Sequence, residues 1–337
     1  DGRPIVSVRP SMDKMTDRDT GHLWTIDLET DAHRPLLGAG SGAGAPRWSP
    51  DGSRLLYTTA TDGKPELRVM YMDTGLTYSL SQFPKPPGAA TWSPDGKSIA
   101  FTMFVPGEKP GFAKPLTPPE GAKWADPVKV IDDLTFRFDG AGYLEDGATQ
   151  VFVVPADGGT PRQVTYGDAD IGQPAWLDNN TLLVSGNTAE DRDDDPNESE
   201  IYAVKLSDLS IRPLTDRNGP DYSPTPSPDG KTIAYLGYDD ELKAYQQNHL
   251  YVMDGDGRNS RELAADFAGS PSNMSWSDDG KTLYFLFEEH GVLSVSSVDL
   301  RGRISEVVTG LGGASIGRPY ADGSYSVGGS GRHAKIA

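Results

Sequence analysis

Trp48-Ser-Pro-Asp-Gly52 is the stretch that decides the fold, because it returns as Trp92-Ser-Pro-Asp-Gly96 and, little changed, as Ser227-Pro-Asp-Gly230 and Trp276-Ser-Asp-Asp-Gly280. Within it Pro presets φ for a turn, Asp bonds back to the amides that follow, and Gly accepts a left-handed backbone, so the motif reads as a hairpin turn. Each copy leads into a short run of β-forming residues: Arg54-Leu-Leu-Tyr-Thr58, Ser98-Ile-Ala-Phe-Thr102, Thr232-Ile-Ala-Tyr-Leu236 and Thr282-Leu-Tyr-Phe-Leu286. Such runs are too short for helices and suit strands. Fainter copies at Trp176-Leu-Asp-Asn179, Tyr320-Ala-Asp-Gly323 and Asp1-Gly2 raise the expected number of units to seven. The copies lie 43 to 51 residues apart, except for one step of 83 between Gly96 and Asn179.

Two more strands fit into each unit. A third is marked by Leu23-Trp-Thr-Ile-Asp27, Leu67-Arg-Val-Met-Tyr71, Gln150-Val-Phe-Val-Val154, Ile201-Tyr-Ala-Val204 and Leu250-Tyr-Val-Met253. A second turn, as in Asp157-Gly-Gly159 and Asp254-Gly-Asp-Gly257, leads to a fourth at Arg162-Gln-Val-Thr165, Arg212-Pro-Leu-Thr215, Arg261-Glu-Leu263 and Glu306-Val-Val-Thr309. Four strands per repeat of this length predict an all-β fold, a seven-bladed β-propeller of four-stranded antiparallel blades. The blades are expected to start near residues 1, 45, 88, 171, 221, 271 and 315, in one domain spanning 1–337. Truncation is expected at both ends, the first blade lacking its innermost strand and the last incomplete, as in an excerpt of a longer protein. The long step is an insertion in the third blade, residues 105–146, with Pro106, Pro110, Pro115, Pro118, Pro119 and Pro127 and one strand candidate, Val128-Lys-Val-Ile131. A long ordered insertion at one mouth of a propeller shapes a binding site.

Composition narrows function. The chain of 337 residues carries 49 acidic and 31 basic residues, a formal charge of −18, which repels nucleic acid and anionic membrane. No apolar run reaches membrane-spanning length. With no Cys there is no disulfide and no thiolate chemistry. His22, His33, His249, His290 and His333 are scattered without metal-ligand spacing, so neither metal nor cofactor is expected. Gly313-Ala-Ser315-Ile-Gly317 matches the nucleophile-elbow pattern, but the repeat puts Ser315 at a strand entry rather than at a strand-to-helix turn. Glu190-Asp-Arg-Asp-Asp-Asp195 forms an acidic loop in the fourth blade. Its Asp193 and Asp194 are candidates for contact with a cationic substrate terminus or a partner domain.

Phe136-Arg-Phe-Asp-Gly-Ala-Gly-Tyr143, followed by Gln150-Val-Phe-Val-Val-Pro-Ala-Asp-Gly-Gly-Thr-Pro-Arg-Gln-Val-Thr165, resembles the N-terminal propeller of the prolyl oligopeptidase family of serine peptidases, in its acylaminoacyl-peptidase-like and dipeptidyl-peptidase-like branch. Glu198-Ser-Glu-Ile-Tyr-Ala-Val204 and Tyr245-Gln-Gln-Asn-His-Leu-Tyr-Val-Met-Asp254 carry the same resemblance. It implies a propeller cap that gates and selects peptides for an α/β-hydrolase domain, the partner, which is absent from this chain. The chain alone is expected to be inactive. Arg137, Asp139 and Tyr143, where the insertion rejoins its blade, are candidates for substrate gating or for the domain interface. The paired-glutamate helix of the dipeptidyl-peptidase relatives has only a faint echo in Tyr143-Leu-Glu145-Asp146. A periplasmic or secreted location follows from the resemblance. The turn motif also resembles the periplasmic Tol-system propeller, so the alternative is a non-enzymatic interaction propeller of that type.

Overall fold

The computed structural model describes residues 4–15, 17–38, 42–107, 116–125, 130–131, 133–311, 323–329, 331 and 334–337. Blade 1 contains β1 (Ile5–Asp13), β2 (Arg18–Ile26) and β3 (His33–Pro35). Blade 2 contains β4 (Gly44–Trp48), β5 (Arg54–Thr61), β6 (Lys64–Tyr71) and β7 (Thr77–Gln82). Blade 3 begins with β8 (Gly88–Trp92) and β9 (Ser98–Pro106); a separate two-stranded ladder, β10 (Arg137–Phe138) with β11 (Gly142–Tyr143), precedes its last strands, β12 (Gly147–Pro155) and β13 (Arg162–Gln163). Blade 4 is β14 (Gly172–Asp178), β15 (Thr181–Gly186), β16 (Glu200–Lys205) and β17 (Ile211–Pro213). Blade 5 is β18 (Asp221–Pro226), β19 (Thr232–Gly237), β20 (His249–Asp254) and β21 (Arg261–Glu262). Blade 6 is β22 (Ser272–Trp276), β23 (Thr282–Glu289), β24 (Val292–Asp299) and β25 (Ile304–Thr309). A short ladder of β26 (Val327–Gly328) with β27 (Lys335–Ile336) follows.

The fold is an all-β propeller of antiparallel blades, without an α-helix among the described residues. The expected count of seven blades is corrected to six: among the described residues five blades have four strands and blade 1 has three. Among the described residues, the ladder of β26 and β27 stands where a seventh blade was expected, packed through Tyr325, Val327 and Ile336 on Tyr284 and Val295 of blade 6. Residues 312–322, which include Ser315 and most of the seventh turn motif, lie outside the described residues. The strand expected at 128–131 is not seen at Val130 or Ile131, and residues 128 and 129 are not described. The strands of that region are instead β10 and β11, a pair too short to leave a sequence signal.

The core lies between blades. Phe101 and Phe152 of blade 3 stack at 5.6 Å and pack with Leu56, Leu67 and Val69 of blade 2, so second strands such as β9 and β19 are buried almost throughout rather than on alternate residues. Two repeated hydrogen bonds bolt neighbours together. The turn-motif Trp donates its indole N–H to a main-chain carbonyl of the preceding blade: Trp92 to Arg47 at 3.1 Å, Trp176 to Thr91 at 3.2 Å and Trp276 to Thr225 at 2.9 Å. Nearer the rim, the fourth-strand Arg reaches the next blade's second turn: Arg162 to Leu206 O and Arg212 to Asp256 O, both at 3.1 Å, and Arg261 to Leu300 O at 2.7 Å. Blade 5 carries Pro226 where the other motifs carry Trp, so the seam between blades 4 and 5 lacks the indole bolt.

Candidate functional site

Strands alternate in direction, so the turn motifs share one end of the propeller with the third-to-fourth-strand turns. The second-to-third-strand connections and the crossings to the next blade share the other end. At this second end β5 and β6 are joined by a tight turn at Asp62-Gly63, and β23 and β24 by another at His290-Gly291. Blades 3, 4 and 5 instead carry long connections, 107–146, 187–199 and 238–248. This end is the candidate site.

The 107–146 connection is anchored where it leaves the blade. Pro106 pairs with Gly147, Gly107 N donates to Asp146 O at 2.9 Å, and Lys85 from the preceding crossing holds Glu145 at 2.5 Å. Gly147 has φ +139°, and a Cβ there would lie 2.3 Å from Val105 O, so the chain can turn off the blade only at a glycine. Arg137 faces Tyr143 across the ladder, Asp139 begins its turn, and Gly140 and Gly142 adopt φ of +83° and +76°. Phe136 lies against Tyr143 with ring centroids 6.2 Å apart. Arg137 and Asp139 are exposed, and among the described residues no ion pair joins them, so they do not brace the insertion with each other. Phe138 is 56% exposed and Tyr143 54%.

Asp193 and Asp194 sit exposed in the turned part of the 187–199 connection, where Asp194 N donates to Asp191 O at 2.8 Å. Their neighbour Arg192 pairs at 3.1 Å with Asp168 of the crossing from blade 3, so its charge is held away from them. Asn187 Nδ2 donates to Asp195 O at 2.8 Å, and Asn197 Nδ2 reaches Asp240 Oδ2 in the blade 5 connection at 3.2 Å. The five candidate residues thus fall on the long connections of adjacent blades at one end, Arg137, Asp139 and Tyr143 on one and Asp193 and Asp194 on the other. Leu242 and Tyr245, 90% and 94% exposed, stand on the third.

An ionic cluster at the foot of these loops, buried at Asp221 and exposed at Asp239, escaped the sequence reading. Arg217 donates through Nε to Asp221 at 2.9 Å and through Nη1 to Asp239 at 2.9 Å and the Tyr251 hydroxyl at 3.1 Å, with its guanidinium 4.1 Å from the Tyr251 ring centroid. Burial opposes the Arg217 charge, but Asp221 and Asp239 hold the proton more firmly than usual. Asp221, only 1% exposed, is pushed up to about 6 by burial against the pull of Arg217. Glu200 is pushed up to about 7, by burial first and then by the like charges of Asp221, Glu198 and Asp216. Comparing the crossings Thr165–Ile171 and Thr215–Asp221 would have exposed the cluster, because the second replaces Gly167 by Arg217 and Ile171 by Asp221.

Residues 129–242 match the family described as the N-terminal region of dipeptidyl peptidase IV. The chain is 24% identical over 226 residues to the uncharacterized peptidase YuxL of Bacillus subtilis, an alignment covering 60% of this chain and 31% of that protein. In structure it superposes on the acylaminoacyl peptidase of Pyrococcus horikoshii with a TM-score of 0.68 and 17% identity, over 90% of this chain and 44% of the other. It also superposes on a TolB protein of Agrobacterium tumefaciens with a TM-score of 0.55 and 17% identity, over 90% of each chain, a likeness of fold.

Proposed function

We propose that this chain, similar in sequence and fold to the N-terminal propellers of prolyl oligopeptidase-family peptidases, acts as the substrate-selecting cap of a peptidase whose α/β-hydrolase domain lies elsewhere in the parent protein. The observation that carries this reading is the gathering of the long connections of blades 3, 4 and 5 at one end, with exposed Phe136, Phe138, Tyr143 and Leu144 on the first of them. Apolar and aromatic surface rimmed by charge is what a partner domain or an incoming peptide buries. The aromatic side chains of the β10–β11 ladder contact the hydrolase domain or the peptide. Asp193 and Asp194 draw peptides with a free amino terminus or basic side chains towards that end, helped by the net charge of −18. Catalysis belongs to the hydrolase domain, because acyl transfer requires a nucleophile, a base and an oxyanion hole held in one preorganised site. A periplasmic or secreted parent protein fits this role.

The test uses the parent peptidase. Residues 116–144 are replaced by a short Gly-Ser linker, and kcat/KM is measured on a two-residue chromogenic substrate and on peptides of increasing length. A cap predicts little change on the short substrate and a rise of tenfold or more on the longest. An unchanged length preference would refute gating by this segment. The pair Asp193→Asn and Asp194→Asn should raise KM for basic peptides and leave neutral ones alone.

A further inference from the structure

The crossings from blade 3 to 4 and from blade 4 to 5 have matching main-chain bonds. Val151 N donates to Thr165 Oγ1 at 2.8 Å where Ile201 N donates to Thr215 Oγ1 at 2.9 Å. Ile171 N donates to Thr149 O at 2.8 Å where Asp221 N donates to Ser199 O at 2.6 Å. Gln150 and Glu200 therefore occupy one position of the repeat. Gln150 accepts from the Thr165 hydroxyl at 2.7 Å, and its Nε2 donates to Ala169 O at 2.9 Å and Gly167 O at 3.2 Å, tying the third strand to the crossing. Beside Glu200 the Thr215 hydroxyl favours the charged carboxyl, but Oε2 is buried without a hydrogen-bond partner.

A carboxylate oxygen in that state is costly, and where the repeat provides main-chain acceptors it has nothing to receive from them. Like charges nearby worsen the cost. Asp221 at the start of β18, Glu198 on the preceding connection and Asp216 on the crossing all bring like charge to Glu200. Arg217, the neighbouring cation, is already bound by Asp221, Asp239 and Tyr251. We infer that Glu200 is held as a carboxylic acid on the acid side of neutrality and there donates to the 216–220 crossing as the Gln150 amide does one blade earlier, so that the seam between blades 4 and 5 is clamped in acid and loosens as pH rises through neutrality. This seam has no indole bolt, and it supports the 187–199 and 238–248 connections that Asn197 and Asp240 join. The titration therefore reaches the loops of the candidate site.

The sign follows from the direction of the shift. A carboxyl raised in the folded chain from 4.5 to about 7 stabilises the fold below the lower value, and that contribution is lost as pH rises through the higher. The experiment labels the full chain with ¹³C at the Glu side-chain carboxyl and follows the titration by NMR, with Glu200→Gln to assign the resonance. Thermal unfolding of both proteins and of Asp221→Asn is then recorded from pH 5 to pH 9. The expected result is a Glu200 midpoint near neutrality and a Glu200→Gln chain whose Tm gains on the unsubstituted chain as pH rises, with an opposite or smaller trend for Asp221→Asn. A Glu200 resonance titrating below pH 5 would overturn the inference, as would a Tm difference independent of pH. The NMR titration of the unsubstituted chain decides the matter even if Glu200→Gln fails to fold, because Thr215→Val, which removes the neighbouring hydroxyl, then assigns the Glu200 signal as the one whose midpoint it shifts upward.

Discussion

Replacing Trp276 by Phe tests whether the indole bolts hold neighbouring blades. The indole N–H is removed and Thr225 O, its acceptor at 2.9 Å in blade 5, loses a partner at the seam, which costs about 1–3 kcal/mol. The smaller ring also leaves a void where Trp276 was 7% exposed, adding on the order of 1 kcal/mol for a few tens of Å³. A total of roughly 2–4 kcal/mol should lower Tm by on the order of 5 °C in a chain of this size. Trp48→Phe is the control, because Trp48 is only half-buried and among the described residues its indole makes no such bond; its cost should stay near 1 kcal/mol. Calorimetry gives the Tm, and amide exchange shows where protection is lost, which matters because adjoining repeats can unfold stepwise. Loss of protection should centre on β18 and β22. Equal losses in the two variants, or a Trp276→Phe chain within 1 °C of the original, would refute the bolt and leave the Trp as simple core packing.

Arg217→Ala should destabilise by about 3–5 kcal/mol, since it strands the buried Asp221 carboxylate, and adding Asp221→Ile, the residue of the preceding crossing, should recover much of the loss in urea unfolding. Gly237→Ala should be among the most damaging single-methyl additions, because its Cβ would meet the Asp221 carboxylate and lie 2.8 Å from Pro220 O; soluble yield and Tm report it. Asp51 is held down to about 2 by the hydroxyls of Ser49 and Ser53 and the Ser53 amide, so its contribution is present above the ordinary 3.8 and is lost as pH falls towards 2. Asp51→Asn should therefore flatten the acid side of the Tm–pH curve without changing the neutral side.

The turn motif was legible because one physical requirement recurs. In each clear copy the Ser hydroxyl donates to the Asp carboxylate and receives the amide that starts the second strand, as Ser49 does with Asp51 at 2.6 Å and Arg54 N at 2.9 Å. Those residue types cannot be exchanged without losing the clasp, so they repeat in sequence. The first-strand bulge is equally regular, with Ala45, Ala89, Gln173, Ser223 and Asn273 at φ between +44° and +54° beside a register shift in each of blades 2 to 6. None of the five is a glycine, because the ladder imposes a conformation that local propensity disfavours. The ionic cluster was hidden for a different reason. Arg217 and Asp221 read as surface charges in a polar stretch until the seam between two blades covers them, while Asp239 reaches Arg217 from the exposed side.

The contrast extends to the insertion. Its ends leave the blade as the paired terminus of a ladder, Pro106 opposite Gly147, so the cost to the blade is mainly loop closure, which grows only slowly with length. Among the described residues, none of 116–146 joins the core clusters around Phe101 and Val151. Selection for the fold therefore leaves their side chains free, and hydrophobic periodicity has no reason to appear there. Exposed Phe138 and Tyr143 persist in a segment that the blade does not need, and they do so beside the acidic loop of the next blade rather than among the turns of the opposite end. That placement ties the two sets of candidate residues to one surface, and it makes replacement of 116–144 a test of function in which loss of the fold is not the expected outcome.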